Sequence, residues 1–441
     1  MFAVFFVDSR DIMEVEKQGE DKMVKIERVT AREILDSRAN PTVETEILLT
    51  DGTLATASVP SGASRGKNES YELRDEKDTR YHGKGVLTAV KNVNELISPA
   101  LVGMSAYEME EADSVMIALD GMYNKSNLGA NAILSVSLAL ARAAAASLSM
   151  PLYRYVGGAF SSRMPIPMMN ILNGGVHADN NLDIQEFMIL PIGAQSFAEA
   201  VRMGVEVYHS LRNILKSRNL SFSVGDEGGF APNLESDEAA LSVICEAVEE
   251  AGYRVGDEVA LGIDVASSEW YSEAGYFLPK RKQRLTSDEL SSYLSDLVGK
   301  YPIISIEDGM ADSDFEGWTR LTASLKEKKT ILVGDDLFVT DAKRIEEGAK
   351  KSIANAVLIK PNQIGTLTET AEAVCTAASF GYKSAMSHRS GETEDSIIAD
   401  LAVGLGTHFI KTGAPARAER TAKYNRLMKI ESEIFAAVYG F

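Results

Sequence analysis

Six short apolar runs in the second half of the chain each end at a residue that can take part in chemistry. The end residues are Asp264, Glu307, Asp335, Lys360, His388 and Lys411. Carboxylates are hard oxygen ligands of the kind that Mg²⁺ and Mn²⁺ prefer. Ammonium and imidazole groups beside them can bind an anion or exchange protons. Brought together, these residue types predict a metal-assisted acid–base site for an anionic ligand.

The spacing of these runs predicts the elements that would position them. Runs that are apolar on both faces are typical of buried parallel strands. The intervals between them are long enough for a crossover helix and the next strand. Repeated βα units favour a (β/α)8 barrel, in which the carboxyl ends of the strands surround one mouth. The six residues are therefore expected to line one pocket, where a metal and an anionic ligand would offset the cost of burying their charges.

The first part of this barrel is expected to be irregular. Residues 167–172 and 184–190 are strand-like and only a loop separates them, which predicts a hairpin. Two helices follow, because apolar residues recur three or four apart over 197–215 and again after a capping Ser236. The sequence therefore predicts an α/β protein with a ββαα(βα)6 variant of the TIM-type barrel over residues 165–441.

The residues before the barrel, 24–158, predict an α+β domain of their own. Strand-like segments with an Asp-Gly hairpin signal at 51–52 come first, and 85–158 has a helical pattern. The loop 60–66 between them is rich in small residues. It is interpreted either as a flexible surface connection or as a mobile lid over a ligand. Residues 1–22 are interpreted either as a disordered extension or as the result of a misassigned start codon.

Composition and charge argue against some classes of protein. The net charge of −19 argues against nucleic-acid binding. No apolar run approaches the roughly 20 residues that span a bilayer, so membrane insertion is not expected. Cys245 and Cys375 are too far apart for a metal motif and are interpreted as small buried residues of a reduced, cytoplasmic protein. These features favour a globular protein that acts on a small molecule.

Each candidate residue also has an ordinary structural interpretation. An acid after a strand is usually a helix cap or an ion-pair partner, and a lone Lys360 would be interpreted as the partner of an acid. Three acids at consecutive strand ends are better explained as a metal site. Beside a divalent cation the pKa of Lys360 should fall towards the range of a general base. Glu227, flanked by glycines, is either part of a plain acidic turn or a positioned carboxylate.

Taken together, these residues indicate proton abstraction next to a carboxylate group. Lys360 would be the base, and a metal would neutralise the added negative charge of the intermediate. A departing hydroxide then needs an acid, for which Glu227 is the candidate. Arg389 and Ser390 offer a guanidinium and a hydroxyl that suit phosphate or carboxylate, and Lys411 supplies a further cation.

Nine short motifs are spread along almost the whole chain. They lie at residues 32–38, 61–64, 173–178, 185–188, 225–229, 305–308, 334–337, 362–365 and 387–395. Together, over about residues 24–437, they resemble the motifs of the enolase family, the phosphopyruvate hydratases. The resemblance implies the same α+β domain and ββαα(βα)6 barrel. It also implies the reversible dehydration of 2-phosphoglycerate to phosphoenolpyruvate in glycolysis and gluconeogenesis, with two Mg²⁺ ions in each active site.

The resemblance also implies a role for each matching residue. Lys360 would take the proton from C2, and Glu227 would protonate the departing C3 hydroxyl. The ligands of the first Mg²⁺ would be Asp264, Glu307 and Asp335, and Ser64 would join the second when the lid closes. The implied substrate contacts are His177, Gln185, Glu186, His388, Arg389, Ser390 and Lys411.

Two residues depart from the family pattern. Ala39 stands where the family usually has Gly, and it would add strain if that position needs a positive φ. Arg65 stands where the lid usually has Thr, next to Ser64, and could alter lid closure or contact the substrate phosphate.

The family implies at least a homodimer or an octamer of dimers, and a cytoplasmic location with a reported cell-surface or secreted fraction. Two alternatives remain beside an active enolase. One is a superfamily relative that acts on another acid, and the other is a non-catalytic binding protein on the same scaffold.

Overall fold

The structure is a computed structural model that describes residues 23–62 and 66–440. The expected extension 1–22, the candidate metal ligand Ser64 and the lid residue Arg65 lie outside these residues. The described chain forms a three-stranded sheet with helices, followed by a closed eight-stranded barrel with helices around it. The predicted α/β fold is therefore confirmed.

The three-stranded sheet is antiparallel, with β2 in the centre. Its strands are β1 (Ile26–Leu35), β2 (Pro41–Leu49) and β3 (Leu54–Ser58). The predicted hairpin at 51–52 joins β2 to β3. Val43, Ile47 and Leu49 are fully buried on one face of β2, which packs against a long helix. This alternation is typical of a sheet with one face on the core.

Helices cover the buried face of this sheet. They are Leu87–Asn92, Ser98–Leu101, Met109–Asp120, Ala130–Ser147 and Leu152–Gly157, with a π-turn at Val93–Ile97 and a short 3-10 turn at Arg80–Gly83. Helix Ala130–Ser147 is long and apolar enough to cross a membrane by length and composition, but 83% of it is buried inside the protein. Its small alanines let it pack closely on β2 and β3, so it is a core helix.

The remaining strands form the barrel and two small sheets. They are β4 (Arg163–Met164), β5 (Ile166–Asn173), β6 (Glu186–Leu190), β7 (Ala260–Asp264), β8 (Tyr271–Ser272), β9 (Gly275–Leu278), β10 (Gln283–Leu285), β11 (Ile303–Glu307), β12 (Ile331–Gly334), β13 (Ala356–Ile359), β14 (Lys383–Ser387), β15 (Phe409–Lys411) and β16 (Val438–Tyr439). The barrel runs β5-β6-β7-β11-β12-β13-β14-β15 and closes from β15 back to β5. Within the barrel β6 alone is antiparallel to its neighbours.

The helices confirm the ββαα(βα)6 order. In the barrel region they are Phe197–Ser217, Asp237–Glu250, Ser287–Lys300, Phe315–Leu325, Ala342–Lys350, Pro361–Ile364, Leu367–Ser379, Ile397–Gly404 and Ala418–Glu433. The first two follow the β5-β6 hairpin, and each later barrel strand is followed by its own helix. Ser236 caps the second helix, because its hydroxyl accepts a hydrogen bond from the backbone N–H of Ala239 at 3.2 Å.

The six strand-end residues reach the same mouth of the barrel. Three of them, Asp264, Glu307 and Lys411, are the last residues of β7, β11 and β15. The other three follow β12, β13 and β14 directly, and they are Asp335, Lys360 and His388. Because β6 runs in the opposite direction, its first residue joins them, and Glu186 pairs in register with Asp264.

One expectation about the cysteines was wrong. Cys245 is only partly buried and Cys375 is exposed, although both were interpreted as small buried residues. Both lie on outer helices of the barrel, and each such helix buries only the stripe that faces the strands. Partial burial raises the pKa of Cys245 to about 11, so its thiol stays protonated at neutral pH.

Ala39 lies in the turn between β1 and β2, and its φ is +59°. The Asp36 carboxylate holds the turn, because its Oδ1 accepts hydrogen bonds from the backbone N–H groups of Arg38 and Asn40, each at 2.8 Å. The turn therefore imposes a left-handed conformation on a residue that has a Cβ atom. The positive φ on which the expected strain depends is therefore present, and the strain itself stays a prediction.

Ala39→Gly is expected to increase the free energy of unfolding by about 1 kcal/mol, because glycine adopts a positive φ without the steric cost of a Cβ atom. Denaturant unfolding followed by circular dichroism measures the change. Ala323→Gly is the matched control at an exposed alanine inside helix Phe315–Leu325. It should lower stability by about the same amount. A loss of stability in Ala39→Gly would contradict the strain.

Candidate active site

The barrel mouth encloses a polar cavity between the strand ends. Most of the predicted site residues line it, namely His177, Gln185, Glu186, Glu227, Asp264, Asp335, Lys360, His388, Arg389, Ser390 and Lys411. Glu307 is not part of the wall, but it reaches the cavity through Lys411. The cavity is also lined by residues to which sequence reasoning assigned no role, including Glu69, Asp308 and Asp336.

Lys411 stands at the centre of one group of carboxylates. Its Nζ lies 3.0 Å from Asp264 Oδ2, 2.8 Å from Glu307 Oε2 and 3.2 Å from Glu186 Oε2. Burial disfavours its charge, but these three carboxylates outweigh burial and raise the pKa of Lys411 well above its usual value. Burial, reinforced by Asp264, in turn raises the pKa of Glu307 well above its usual range. The carboxylates in this part of the mouth therefore need a neighbouring positive charge to stay ionised.

Lys360 faces a second group of acids. Its Nζ donates a hydrogen bond to Asp335 Oδ2, and Gln363 Nε2 donates to the other oxygen at 2.9 Å. Burial lowers the pKa of Lys360, but the Asp335 carboxylate outweighs burial and the net shift is upward. The protein groups alone therefore act against the lowered pKa that was expected beside a metal, because Asp335 lies directly against the amine.

Carboxylates also crowd together next to Asp335. Oxygen atoms of Asp308, Asp335 and Asp336 all lie within 4.8 Å of one another. Burial and the Asp335 charge raise the pKa of Asp336 to about 7. Burial and the charges of Asp336 and Asp335 raise the pKa of Asp308 well above its usual range. Crowded, buried oxygen donors of this kind fit a hard divalent cation such as Mg²⁺, which would relieve their repulsion.

The candidate metal ligands have different nearest neighbours, although they lie close enough for the charges of Asp264 and Asp335 both to act on Glu307. Asp264 and Glu307 share the Lys411 ammonium, whereas Asp335 belongs to the compact group with Asp308 and Asp336. Asp308 has a positioning role as well, because its two oxygens accept the backbone N–H groups of Asp335 and Asp336, each at 2.9 Å.

Glu227 lies on the other side of the cavity, between two histidines. His388 Nε2 is 3.5 Å from Glu227 Oε2, and His177 Nδ1 is 4.0 Å from Glu227 Oε1. Asn170 Nδ2 donates a hydrogen bond to Glu227 Oε2 at 3.0 Å. Burial raises the pKa of Glu227, but His388 and His177 outweigh burial and the net shift is well below the usual range.

Glu186 and the two histidines complete the electrostatics of this side. Burial and the neighbouring Glu227 raise the pKa of Glu186, so burial next to a second carboxylate favours the protonated form of Glu186. His177 lies 3.4 Å from Glu186. Burial opposes its charge, but Glu227 and Glu186 outweigh burial and raise the pKa of His177 to about 9. Burial lowers the pKa of His388 to about 4, so this imidazole is neutral at physiological pH.

Arg389 and Ser390 form the wall next to the Lys360 group. Arg389 Nη1 lies 3.0 Å from Glu69 Oε2, and the same nitrogen donates to Asn362 Oδ1 at 3.2 Å. A buried guanidinium that already binds one carboxylate is suited to a phosphate or carboxylate ligand. Gln185 points to the Lys411 side, where its Nε2 donates to Asp264 Oδ2 at 3.5 Å.

Loops from the N-terminal region cover the mouth. The backbone of Ser61 pairs with that of Gly391 through two hydrogen bonds of 2.8 and 2.9 Å, and Ser61 Oγ donates to Asp36 Oδ2 at 2.6 Å. A Cβ atom on Gly391 would come within 2.5 Å of Asp36 Oδ2, so only glycine allows this approach. Ser61, which precedes residues 63–65, therefore lies against the loop that carries Arg389 and Ser390, and the lid stays a prediction.

Sequence reasoning missed several residues that support the site. Asn170 left a signal, because it is a polar residue inside the apolar strand β5. Asp308 and Asp336 also left one, because each follows a candidate metal ligand directly. Glu69 left none, because it comes from a distant part of the chain and only the folded structure brings it to the site.

Two family models match this chain. The model described as "Enolase, N-terminal domain" matches residues 26–156. The model described as "Enolase, C-terminal TIM barrel domain" matches residues 161–440. Between them they cover almost all of the residues that the structure describes, including the barrel and the loops over its mouth. The chain therefore belongs to the enolase family.

Proposed function

We propose that the protein is a phosphopyruvate hydratase, which dehydrates 2-phosphoglycerate reversibly to phosphoenolpyruvate. The observation that carries this proposal is that Lys360 and Glu227 line one buried cavity together with a carboxylate cluster and Arg389. In the forward direction the C2–H bond breaks and the C3–O bond breaks. One proton goes to Lys360, one comes from the acid, and water leaves.

Lys360 is the base in this proposal. To accept a proton it must be neutral, and the main obstacle is the Asp335 carboxylate that raises its pKa. Mg²⁺, when bound, would polarise the substrate carboxylate and make the C2 proton more acidic. If the oxygens of Asp335 and Glu307, which both raise the pKa of Lys360, are engaged as metal ligands, burial and the charges of Arg389 and Lys411 remain, and these lower it.

Glu227 is the acid in this proposal, and Glu186 is the neighbour that supplies its proton. The pKa of Glu186 is raised and that of Glu227 is lowered, so Glu186 is the acid of the pair that binds a proton more readily. His177 lies within 4.0 Å of both carboxylates and can pass a proton between them. The negative charge that develops on the departing C3 oxygen favours proton transfer to it.

The substrate class follows from the anion-binding groups. Arg389 and Ser390 are buried at the cavity wall, and Lys411 is a third buried donor on the opposite side. Two separated sets of cationic groups suit a small molecule with two anionic ends, such as a phosphorylated hydroxy acid. The same argument disfavours an unphosphorylated acid, because only one of the two sets of groups would then bind an anionic end of the ligand.

The wider assignments remain proposals that rest on family membership. They are a role in glycolysis and gluconeogenesis, a cytoplasmic location, and a homodimer or an octamer of dimers. Light scattering on the purified protein would give the oligomeric state directly.

Phosphoenolpyruvate absorbs in the ultraviolet, so the reaction can be followed without a coupled enzyme. The absorbance is expected to rise when 2-phosphoglycerate and Mg²⁺ are added, and to stay flat with excess chelator, because carboxylate repulsion at the mouth needs a divalent cation. A rise with unphosphorylated hydroxy acids would indicate a superfamily relative instead. No rise from folded, Mg²⁺-loaded protein would favour a binding role.

Lys360→Ala is expected to reduce exchange of the C2 proton of 2-phosphoglycerate with solvent by about 10³-fold or more, because no other described group replaces the amine as base. Deuterium incorporation followed by NMR measures the exchange. Lys125→Ala is the matched control, since Lys125 is also buried and pairs with Glu369 at 2.9 Å, away from the mouth. Exchange at the wild-type rate in Lys360→Ala would exclude Lys360 as the base.

Glu227→Gln is expected to lower the dehydration rate by about 10²–10⁴-fold while C2 exchange continues, because the acid acts after the proton at C2 has been removed. Glu186→Gln should have a smaller effect, since Glu227 can still accept a proton from His177 or solvent. If Glu186→Gln loses dehydration and Glu227→Gln retains it, the roles of the two acids are reversed.

A further inference from the structure

Arg420, on the last helix of the barrel, is completely buried next to the candidate acid side of the cavity. Its Nη1 lies 2.6 Å from His388 Nδ1 and donates to the carbonyl oxygen of Arg389 at 2.7 Å. Its Nη2 donates to the carbonyl oxygens of Ser390 at 2.7 Å and Asp226 at 3.1 Å. The guanidinium is therefore hydrogen-bonded both to the loop that contains Glu227 and to the loop that contains Arg389 and Ser390.

The contact with His388 fixes which ring nitrogen carries the proton. A guanidinium has donors and no acceptor, and it stays protonated in proteins. His388 Nδ1 must therefore accept from Arg420, and the neutral ring carries its proton on Nε2. That nitrogen faces Glu227 Oε2 at 3.5 Å. His388 is thereby a donor towards Glu227.

The three carbonyl contacts tie the loops together. Asp226 precedes Glu227, and the other two carbonyls belong to Arg389 and Ser390, the candidate anion-binding residues. A second link runs beside the guanidinium, because the backbone N–H of Ala414 donates to the Glu227 carbonyl oxygen at 2.9 Å. The buried Arg420 side chain thus sets the distance between Glu227 and the candidate anion-binding residues Arg389 and Ser390.

We propose that Arg420 is a positioning residue. It holds His388 in the Nε2–H tautomer, and it fixes the position of Glu227 relative to the Arg389–Ser390 segment. The inference rests on the proposed function for its catalytic consequence, but the tautomer follows from the geometry alone. Arg420 does not touch the cavity, so it acts only through His388 and the two loops.

The first test uses the wild-type protein without substrate. The ¹⁵N chemical shifts of the His388 ring, assigned with a His388→Gln variant, should show a protonated Nε2 and an unprotonated Nδ1 at neutral pH. A protonated Nδ1, or a doubly protonated ring, would overturn the proposal whether or not any variant folds. This result is independent of the reaction, so it can stand even if 2-phosphoglycerate is not the substrate.

The second test compares Arg420→Gln with Arg420→Lys. Glutamine offers a carbonyl that can accept from Nδ1–H, so a second tautomer of His388 should appear and dehydration of 2-phosphoglycerate should fall on the order of 10²-fold. C2 exchange should change much less, because Lys360 is not contacted. Lysine keeps a donor for Nδ1, so the tautomer should be retained and dehydration should be partly restored.

Arg426→Gln is the matched control on the same helix. Arg426 is a partly buried arginine whose Nε donates to Asp400 at 2.7 Å, away from the His388 ring. It should leave the His388 shifts and the ratio of exchange to dehydration unchanged. A folded Arg420→Gln variant with the wild-type tautomer and wild-type dehydration would overturn the positioning role.

Discussion

The balance of charge at the barrel mouth is the constraint on which the rest of the structure depends. Acids from β6, β7 and β11 converge on the Lys411 ammonium at 2.8–3.2 Å, and all of these groups are buried. Removing one partner from such a cluster leaves a buried charge unmatched, which commonly costs several kcal/mol. The charged residues at the strand ends therefore have to be buried together. The crossover segments between the strands bring these ends to the same mouth of the barrel.

A second requirement is that the N-terminal region be held over this mouth. Arg142, from the core helix Ala130–Ser147, binds both oxygens of Asp395 at 2.9 and 2.6 Å, and Ser58 N donates to the same carboxylate at 3.0 Å. With the Ser61–Gly391 backbone pairing, these contacts fix the end of β3 against the loop after β14. That loop carries Arg389 and Ser390, so folding of the sheet and formation of the anion-binding wall are coupled.

The two sides of the cavity are chemically distinct. On one side the Asp335 carboxylate lies against the Lys360 ammonium and favours its protonated form. On the other side Glu227 is surrounded by imidazole and amide donors that stabilise its ionised form. Each of these favoured protonation states is opposite to the one that the proposed dehydration needs, so ligand and metal binding would have to shift both. A site arranged in this way is expected to catalyse the proposed reaction only when both the substrate and the metal are bound.

The order of residues was enough to predict the strand ends, the hairpin start of the barrel and most side chains at the mouth, because apolar runs with a charged end are a local pattern. It also indicated the strain at Ala39. Only the tertiary structure decided which acid pairs with which lysine, that Glu69 meets Arg389, and that Arg420 holds His388. Such contacts join residues that are tens to hundreds of positions apart, and their distances depend on how the barrel closes. The direction of each pKa shift depends on the same distances and on burial, and neither can be read from residue order.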